Sequence, residues 1–540
     1  MRKKISNLLW LTAVVAIVAI ACKNKNKKED VKADTTITQN SSFNNLFLDS
    51  AKIESFLAAN PSLKGYERQF IDFYKARNYE CAWFDSSGLI EQTGNFINLV
   101  SASIAQNNDS SLYDPKLEQL YESYRGKTFD KKKIKEEDIL AELYFTGQFF
   151  RYTTKQFNGA DLDATQLGWF IPRKKIDLSS LLDSTLKNKN SQEIFNTLLN
   201  PAFKQLNEYL QKYLAIKKNN PEWDSLRMPV NKLKLGDSIA FVGKIKERLE
   251  ILGDLDYNDG TTYFDETMQD AVKSYQNRMG LGNDGVIGPA FVRSINTPVD
   301  SLIRKILVNV ERARWLPASN PETYVWVNIP EFRLHTYENN SEIFDMRVIV
   351  GSAAHSTVIF SGNLKYVVFA PYWNVPPSII KNEIVPGIER DPNYLVNHNM
   401  QVFGRNKSGV PVDVRQLPGP DNALGSVKFL FPNDYDIYLH DTPNHDLFTS
   451  SNRSLSHGCI RLSDPMRMAQ FLLRNDSTTY STETIDSLMH KNPKETWVTV
   501  KPSVPVFLVY FTAWVDNNGK LNFRKDIYGH DNKVAAKLFN

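Results

Sequence analysis

YLHDTP at 438–443 and SHGCIRL at 456–462 decide how the last part of this chain folds and what it can do. Ile437-Tyr-Leu439 reads as an apolar strand that carries His440 to a strand end, where the ring is held on rigid backbone. Fifteen residues (441–455) follow, and the second stretch then sets Cys459 behind Gly458 and ahead of Ser463-Asp-Pro-Met466. Ser463 reads as a helix N-cap and Pro465 as a first-turn residue of a helix through Ala469, Leu472 and Leu473. Cys459 is therefore expected between a strand and a helix. The backbone N–H groups of Gly458 and Cys459 would point at a developing oxyanion, with Arg461 on the same side. A cysteine served by an imidazole is the raw material of a thiolate nucleophile, with His440 as base. A zinc reading of His440, His457 and Cys459 lacks a second thiol and the usual paired spacing, so no metal or cofactor is expected.

Around this pair the hydrophobic period is two. Tyr324-Val-Trp-Val-Asn-Ile329, Phe344 to Val350, Tyr366-Val-Val-Phe369, Phe429-Leu-Phe431, Trp497-Val-Thr-Val500 and Val506 to Phe511 are short strands separated by Gly, Pro and Asn turns. They predict a mostly β domain over 321–540. An insertion over about 372–425, rich in Pro and polar residues, is long for an inert loop and reads as a candidate lid.

Working toward the N-terminus, 298–320 is an amphipathic connecting helix with Ile303, Ile306, Leu307 and Val310 on one face. Residues 227–297 imply three short helices: Val242, Ile245, Leu249 and Leu252 form one face ending at Gly253, and Met268, Ala271, Val272 and Tyr275 form a second ending at Gly280. From 46 to 226 apolar residues such as Ile53, Phe56, Leu57 and Ile139, Leu143, Phe150 recur at helical spacing, which predicts a helical scaffold domain. Cys81 lies among aromatics there and reads as a buried, inert thiol. Residues 23–45 are polar with almost no large apolar side chains, the composition of a tether.

Residues 1–22, MRKKISNLLWLTAVVAIVAIAC, have the layout of an export signal. The apolar run from Leu8 to Ala21 is shorter than the ~20 residues a spanning helix needs. Ending on Ala21-Cys22, it resembles a bacterial lipobox, which implies lipidation of Cys22 and attachment to a membrane surface. The cysteines Cys22, Cys81 and Cys459, three in 540 residues, fall in different segments and argue against a disulfide framework. A net charge of +4, from 65 basic and 61 acidic residues, is too small an excess to argue for nucleic acid. The length and ordinary 42% hydrophobic content predict a multidomain protein, and the helical period before 321 with the two-residue period after it makes the class α+β.

His440, the fifteen-residue spacer and Ser456-His-Gly-Cys-Ile-Arg461 resemble the L,D-transpeptidases of bacterial cell walls, a family with the YkuD-type catalytic domain. The similarity extends through Asn328-Ile-Pro330, Tyr372-Trp-Asn-Val-Pro-Pro-Ser-Ile379, Gln416-Leu-Pro-Gly-Pro420, Asn422-Ala-Leu-Gly425, Lys428-Phe429 and Phe523-Arg524. Thr357-Val358 stands where such domains often carry Thr-Pro. Residues 227–297, with the Asp284-Gly-Val-Ile-Gly288 loop, resemble a three-helix peptidoglycan-binding module, and the whole resembles the large multidomain subclass in which the 372–425 insertion caps the active site. The resemblance implies that the Cys459 thiolate attacks the third residue of a tetrapeptide stem, releasing D-alanine, and that a neighbouring stem amine resolves the thioester into a 3→3 cross-link. It further implies His440 as base and acid, Gly458, His457 and Arg461 around the oxyanion, and Trp373, Tyr438 and Ser456 in substrate binding. The expected partners are stem peptides, glycan and a membrane reached through the lipid, in the periplasm or cell envelope. Alternatives with the same nucleophile are an L,D-carboxypeptidase, using water as acceptor, and an enzyme anchoring proteins to the wall. A non-catalytic peptidoglycan-binding lipoprotein is the alternative of another class.

Overall fold

Ile53, Phe56 and Leu57 form the buried face of α1 (Ser50–Ala59), which the side chain of Asp49 caps by accepting from the Ala51 N–H. They belong to a computed structural model that describes residues 46–539, except 86, 108–111, 128–133, 160–162, 174–175, 188–193, 196 and 492–493. The expected leader with Cys22 and the expected tether lie outside the described residues. No helix among the described residues is long and apolar enough to cross a membrane.

Contacts within the chain divide the expected 46–226 scaffold. One unit takes in 46–154 with 176–194, and the other takes in Lys155–Lys175 with Phe195–Asn540. In the first, α2 (Glu67–Ala76), α3 (Glu91–Asn107), α4 (Pro115–Tyr124), α5 (Glu136–Asn158, as far as 154) and α6 (Leu178–Lys187) surround an aromatic core that includes Phe70, Trp83, Phe145 and Phe149. Glu142 is fully buried there, and its carboxyl accepts from the Ala82 and Trp83 N–H groups and from the Tyr74 hydroxyl. Cys81 is 1% exposed, and burial together with Glu142 pushes its thiol well up, as expected for an inert position.

In the second unit, α7 (Pro201–Asn219) packs Phe203, Leu206, Leu210 and Tyr213 into the same core as the β strands, which is why 195–226 separates from the scaffold. The next segment forms the three expected helices, α8 (Ala240–Leu252), α9 (Glu266–Arg278) and α10 (Pro289–Ile295), around their own core of Val242, Ile245, Leu249, Val272 and Tyr275. Then α11 (Val299–Arg314) buries most of its length. Its Asn309 side chain accepts from the Thr512 N–H and donates to the Thr512 hydroxyl, and Arg312 pairs with Asp531, so the helix is tied to the end of the β domain.

Nine strands make the main sheet: β1 (Thr323–Asn328), β2 (Arg333–Glu338), β3 (Ser341–Gly351), β4 (Ser361–Phe369), β8 (Val427–Leu430), β9 (Leu439–His440), β10 (Ser454–Ser456), β11 (Ile460–Leu462) and β12 (Thr496–Val509). The order is β10-β3-β11-β9-β8-β4-β12-β1-β2, and β2 also pairs with β3. That second pairing closes eight strands into a ring and leaves β10 attached outside it. The intervening β5 (Trp373–Asn374), β6 (Met400–Arg405) and β7 (Pro411–Gln416) form a separate sheet in the order β5-β7-β6. With helical turns over 377–397 they enclose a small core of Val375, Ile379, Ile380, Ile384 and Val414. The expected insertion is thus a folded subdomain, held by apolar residues that its Pro-rich composition conceals.

On β2, His335 lies between Glu331 at 3.3 Å and Glu342 at 2.7 Å. Burial opposes its charge, but the two carboxylates prevail and raise its pKa to about 9. A folded-state pKa above the unfolded value of ~6.5 stabilises fully below pH 6.5 and loses that contribution as pH rises to about 9. The β domain is therefore expected to lose on the order of 3 kcal/mol across that window. Thermal melts at several pH values check this, with His335→Gln expected to flatten the dependence.

Candidate active site

The site grows from two short parallel strands. β9 and β11 pair with Leu439 opposite Ile460 and His440 opposite Arg461. Leu439 and Ile460 are fully buried and turn into the barrel core. Side chains alternate along a strand, so Tyr438, His440, Cys459 and Arg461 share the other face. All four line one cavity of about 830 Å³. The insertion supplies much of the remaining wall, including Trp373, Glu383, Tyr394 and Gln416. Ser456 and His457 also line it, so the cavity gathers every expected site residue except Gly458, which is buried behind it, and Cys22.

His440 is 4% exposed, and its Nδ1 lies 2.5 Å from the Asp441 carbonyl oxygen. A carbonyl only accepts, so Nδ1 carries the proton and Nε2 keeps its lone pair. Asp441 is itself fixed, its carboxylate accepting from the Ser426 N–H and hydroxyl and the Thr442 N–H. Burial pushes the His440 pKa down to about 3, helped by the cations Arg461 and Lys428. Arg461 is its register partner on β11 and Lys428 its register partner on β8. At neutral pH the ring is therefore an uncharged base.

Cys459 is likewise uncharged at rest, as the thiol. Burial pushes the thiol up to about 11, against hydrogen bonds from the Tyr438 backbone and side chain and the charge of Arg461. Its Sγ donates to the Asp436 carbonyl at 3.5 Å. His440 and Cys459 are brought onto neighbouring strands of one face, but no hydrogen bond joins them among the described residues. The phenol of Tyr438, expected to bind substrate, lines the cavity and is also a hydrogen-bond partner of the thiol.

The loop before Cys459 corrects the expected oxyanion donors. Ser456 Oγ donates to the Cys459 carbonyl at 2.6 Å and accepts from the Gly458 N–H at 3.2 Å. The Gly458 N–H is therefore engaged within the loop, which leaves the Cys459 N–H as the backbone donor of the pair. Ser456 acts as the loop's clamp, with its hydroxyl committed to backbone. Gly458 has φ +117°, a left-handed conformation that favours glycine, and its carbonyl accepts from Thr357 Oγ1 at 2.8 Å. Thr357 Oγ1 accepts in turn from the Gly351 N–H at 2.9 Å. Gly351 is needed for close approach, since a Cβ there would lie 2.8 Å from Thr357 N and 3.1 Å from Gly458 Cα. The helix after the loop, α12 (Pro465–Leu473), is capped by Asp464, whose side chain accepts from the Arg467 N–H, and not by Ser463 as expected. Asp464 has the correct reach because it immediately precedes Pro465.

Arg461 lines the cavity, and its Nε is buried without a hydrogen-bond partner among the described residues. His457 is half exposed, 3.3 Å from Glu383 of the insertion. It lines the cavity beside the insertion. Three supports were not singled out from the sequence. Lys428, quoted only as part of a motif, donates to the Tyr372 carbonyl and pairs with Glu495. Asp441 was visible only as the neighbour of His440. Thr357, noted only for the missing proline after it, is 1% exposed and holds the nucleophile loop. Thr357→Val keeps the shape and strands the Gly458 carbonyl and Gly351 N–H, so it is expected to cost about 1–3 kcal/mol. Urea unfolding would measure the loss, alongside slower alkylation or acylation of Cys459.

With this geometry in place, three family models match segments of the chain. Residues 322–500 match the family model described as the L,D-transpeptidase catalytic domain (YkuD). Residues 68–210 match a scaffold domain, and 239–295 match a "Putative peptidoglycan binding domain". The chain therefore carries an L,D-transpeptidase catalytic domain together with a peptidoglycan-binding domain. A "Putative L,D-transpeptidase" of Haemophilus influenzae is 35% identical over 254 residues, 44% of this chain and 50% of that protein. The chain thus matches about half the length of this curated relative. Among solved structures, L,D-transpeptidase 3 from Mycobacterium tuberculosis is 14% identical, covering 35% of this chain and 62% of its own, with a TM-score of 0.18. The L,D-transpeptidase from Stackebrandtia nassauensis is 16% identical, covering 52% and 97%, with a TM-score of 0.19.

Proposed function

We propose that this protein is a cell-envelope L,D-transpeptidase that forms 3→3 cross-links between peptidoglycan stems through a thioester on Cys459. The observation that carries the reading is the shared face of β9 and β11. A half-buried thiol and a neutral imidazole with a free lone pair line one cavity, flanked by Lys428 and Arg461. Carboxylates of a stem peptide suit that pair of cations.

In the first step His440 Nε2 takes the Cys459 proton as Sγ attacks the carbonyl carbon of the third stem residue. The C–S bond forms and the C–N bond to the terminal D-alanine breaks, with His440 returning the proton to the leaving amine. In the second step the side-chain amine of a neighbouring stem's diamino acid attacks the thioester. Its proton passes to His440 and then to the departing Sγ, which restores the thiol. Both steps pass through an oxyanion, for which the Cys459 N–H and Arg461, whose Nε has no partner among the described residues, are the candidate donors. The peptidoglycan-binding domain keeps the enzyme on the wall, and a lipid on Cys22 holds it at a membrane surface.

Purified protein incubated with tetrapeptide-stem muropeptides is expected to yield cross-linked dimers and free D-alanine. Tripeptide products without dimers would assign water as the acceptor and reject cross-linking.

A further inference from the structure

Away from Cys459, a second cavity of about 290 Å³ opens where α7 meets the β1–β2 hairpin and the short strand β13 (Ala513–Val515). It is at the lower end of the ~300–1,000 Å³ of small-molecule sites. Its lining is unlike the rest of the chain. Charged residues make up 23% of the sequence, yet none of the residues around this cavity carries a charge. Five are aromatic: Tyr324, Trp326, Tyr337, Phe511 and Trp514. Six are amides, five asparagines and Gln205.

The rings form two near-parallel pairs. Tyr324 and Tyr337 stack at 4.7 Å and 12°, and Trp326 and Phe511 lie at 6.1 Å and 24°. Some of the amides hold the walls: Asn200 caps α7 and donates to the Pro317 carbonyl, and Asn328 brackets the Phe511 backbone. Others are open. The side chains of Gln205 and Asn340, both exposed, make no hydrogen bond among the described residues, and neither do the indole N–H groups of Trp326 and Trp514.

We infer that this cleft binds an uncharged N-acetylated sugar of a glycan strand. Tyr324 and Phe511 are buried and back the cleft, whereas the partly exposed rings of Trp326, Tyr337 and Trp514 match the C–H faces of a pyranose, and the open amides and indoles match hydroxyl and acetamido groups. The nearest charges, Glu342 beside Asn517 and Arg524 over the Trp514 ring, are of opposite sign and stand behind the uncharged lining, so an ionic ligand gains no unopposed counter-charge. A wholly apolar partner would leave several amides without partners. Nucleic acid would find none of the cations its phosphates require. The choice of an N-acetylated glycan is favoured by the peptidoglycan-binding domain carried on the same chain. The inference goes beyond acyl transfer and does not depend on Cys459.

The probe is the β-1,4-linked tetramer of N-acetylglucosamine, titrated calorimetrically into the full chain. Saturable binding is expected, weakened about tenfold or more by Trp514→Ala and retained by Trp514→Phe, which keeps a ring. Gln205→Arg, at an exposed position on α7, should block the cleft, and it tests the inference should Trp514→Ala fail to fold. No binding by the unmodified chain would overturn the inference. So would equal binding by Trp514→Ala or Gln205→Arg, since the sugar would then be held elsewhere, or equal binding of a glucose tetramer lacking acetamido groups. β-Lactam acylation of Cys459, followed in each variant, reports separately on the fold and on the acyl-transfer reading.

Discussion

Cys459→Ala is expected to abolish covalent capture of a carbapenem, a strained acyl donor, so that intact mass shows one adduct on the unmodified protein and none on the variant. The same substitution should reduce cross-linked dimers to background, because no other described cysteine is available: Cys81 is buried in the first unit with its thiol pushed well up. The change is small in structural terms. The Cys459 thiol has only weak hydrogen bonds, to the Asp436 carbonyl and with Tyr438, and its loop is held by Ser456 and Thr357 through backbone groups that alanine keeps. Thermal stability should therefore change little. An adduct that survives the substitution would remove Cys459 from the mechanism.

His440→Gln is expected to slow acylation by about 10²–10⁴-fold, the usual contribution of a positioned general base. Its companion measurement is the pH dependence of iodoacetamide alkylation. The resting thiol has its pKa near 11 and the imidazole its pKa near 3, so the two do not form a thiolate–imidazolium pair at neutral pH. Alkylation of the unmodified protein should rise about tenfold per pH unit between pH 7 and 9, following the thiolate fraction. A plateau through neutral pH would mean that the ion pair exists at rest. The cause of the unusual imidazole is local: burial and flanking cations penalise the charged ring. Substrate carboxylates would relieve that charge, which couples base strength to occupancy of the cavity.

The sequence showed the site's parts more clearly than its wiring. His440 and Cys459 were legible because one follows an apolar strand and the other sits in a strand–loop–helix junction, both local patterns. Gly458 was legible as a loop residue but not in its hydrogen bonding, since its N–H goes to the hydroxyl of Ser456 and its carbonyl to a threonine 101 positions away. Lys428 and Arg461 could not be recognised as electrostatic neighbours of His440, because that depends on the register of three strands from different parts of the chain.

The same distinction runs through the fold. The switch from a helical to a two-residue apolar period, the three helices of the small module and the nucleophile junction follow from the sequence alone, because side-chain direction along a helix or strand is set by backbone geometry. Tertiary structure alone decided that α7 joins the β domain's core, that the insertion has a core of its own, that the strands close into a ring, and that the thiol and imidazole rest uncharged. Each of these depends on which distant residues exclude water or place charge beside a given group, and spacing along the chain does not encode that.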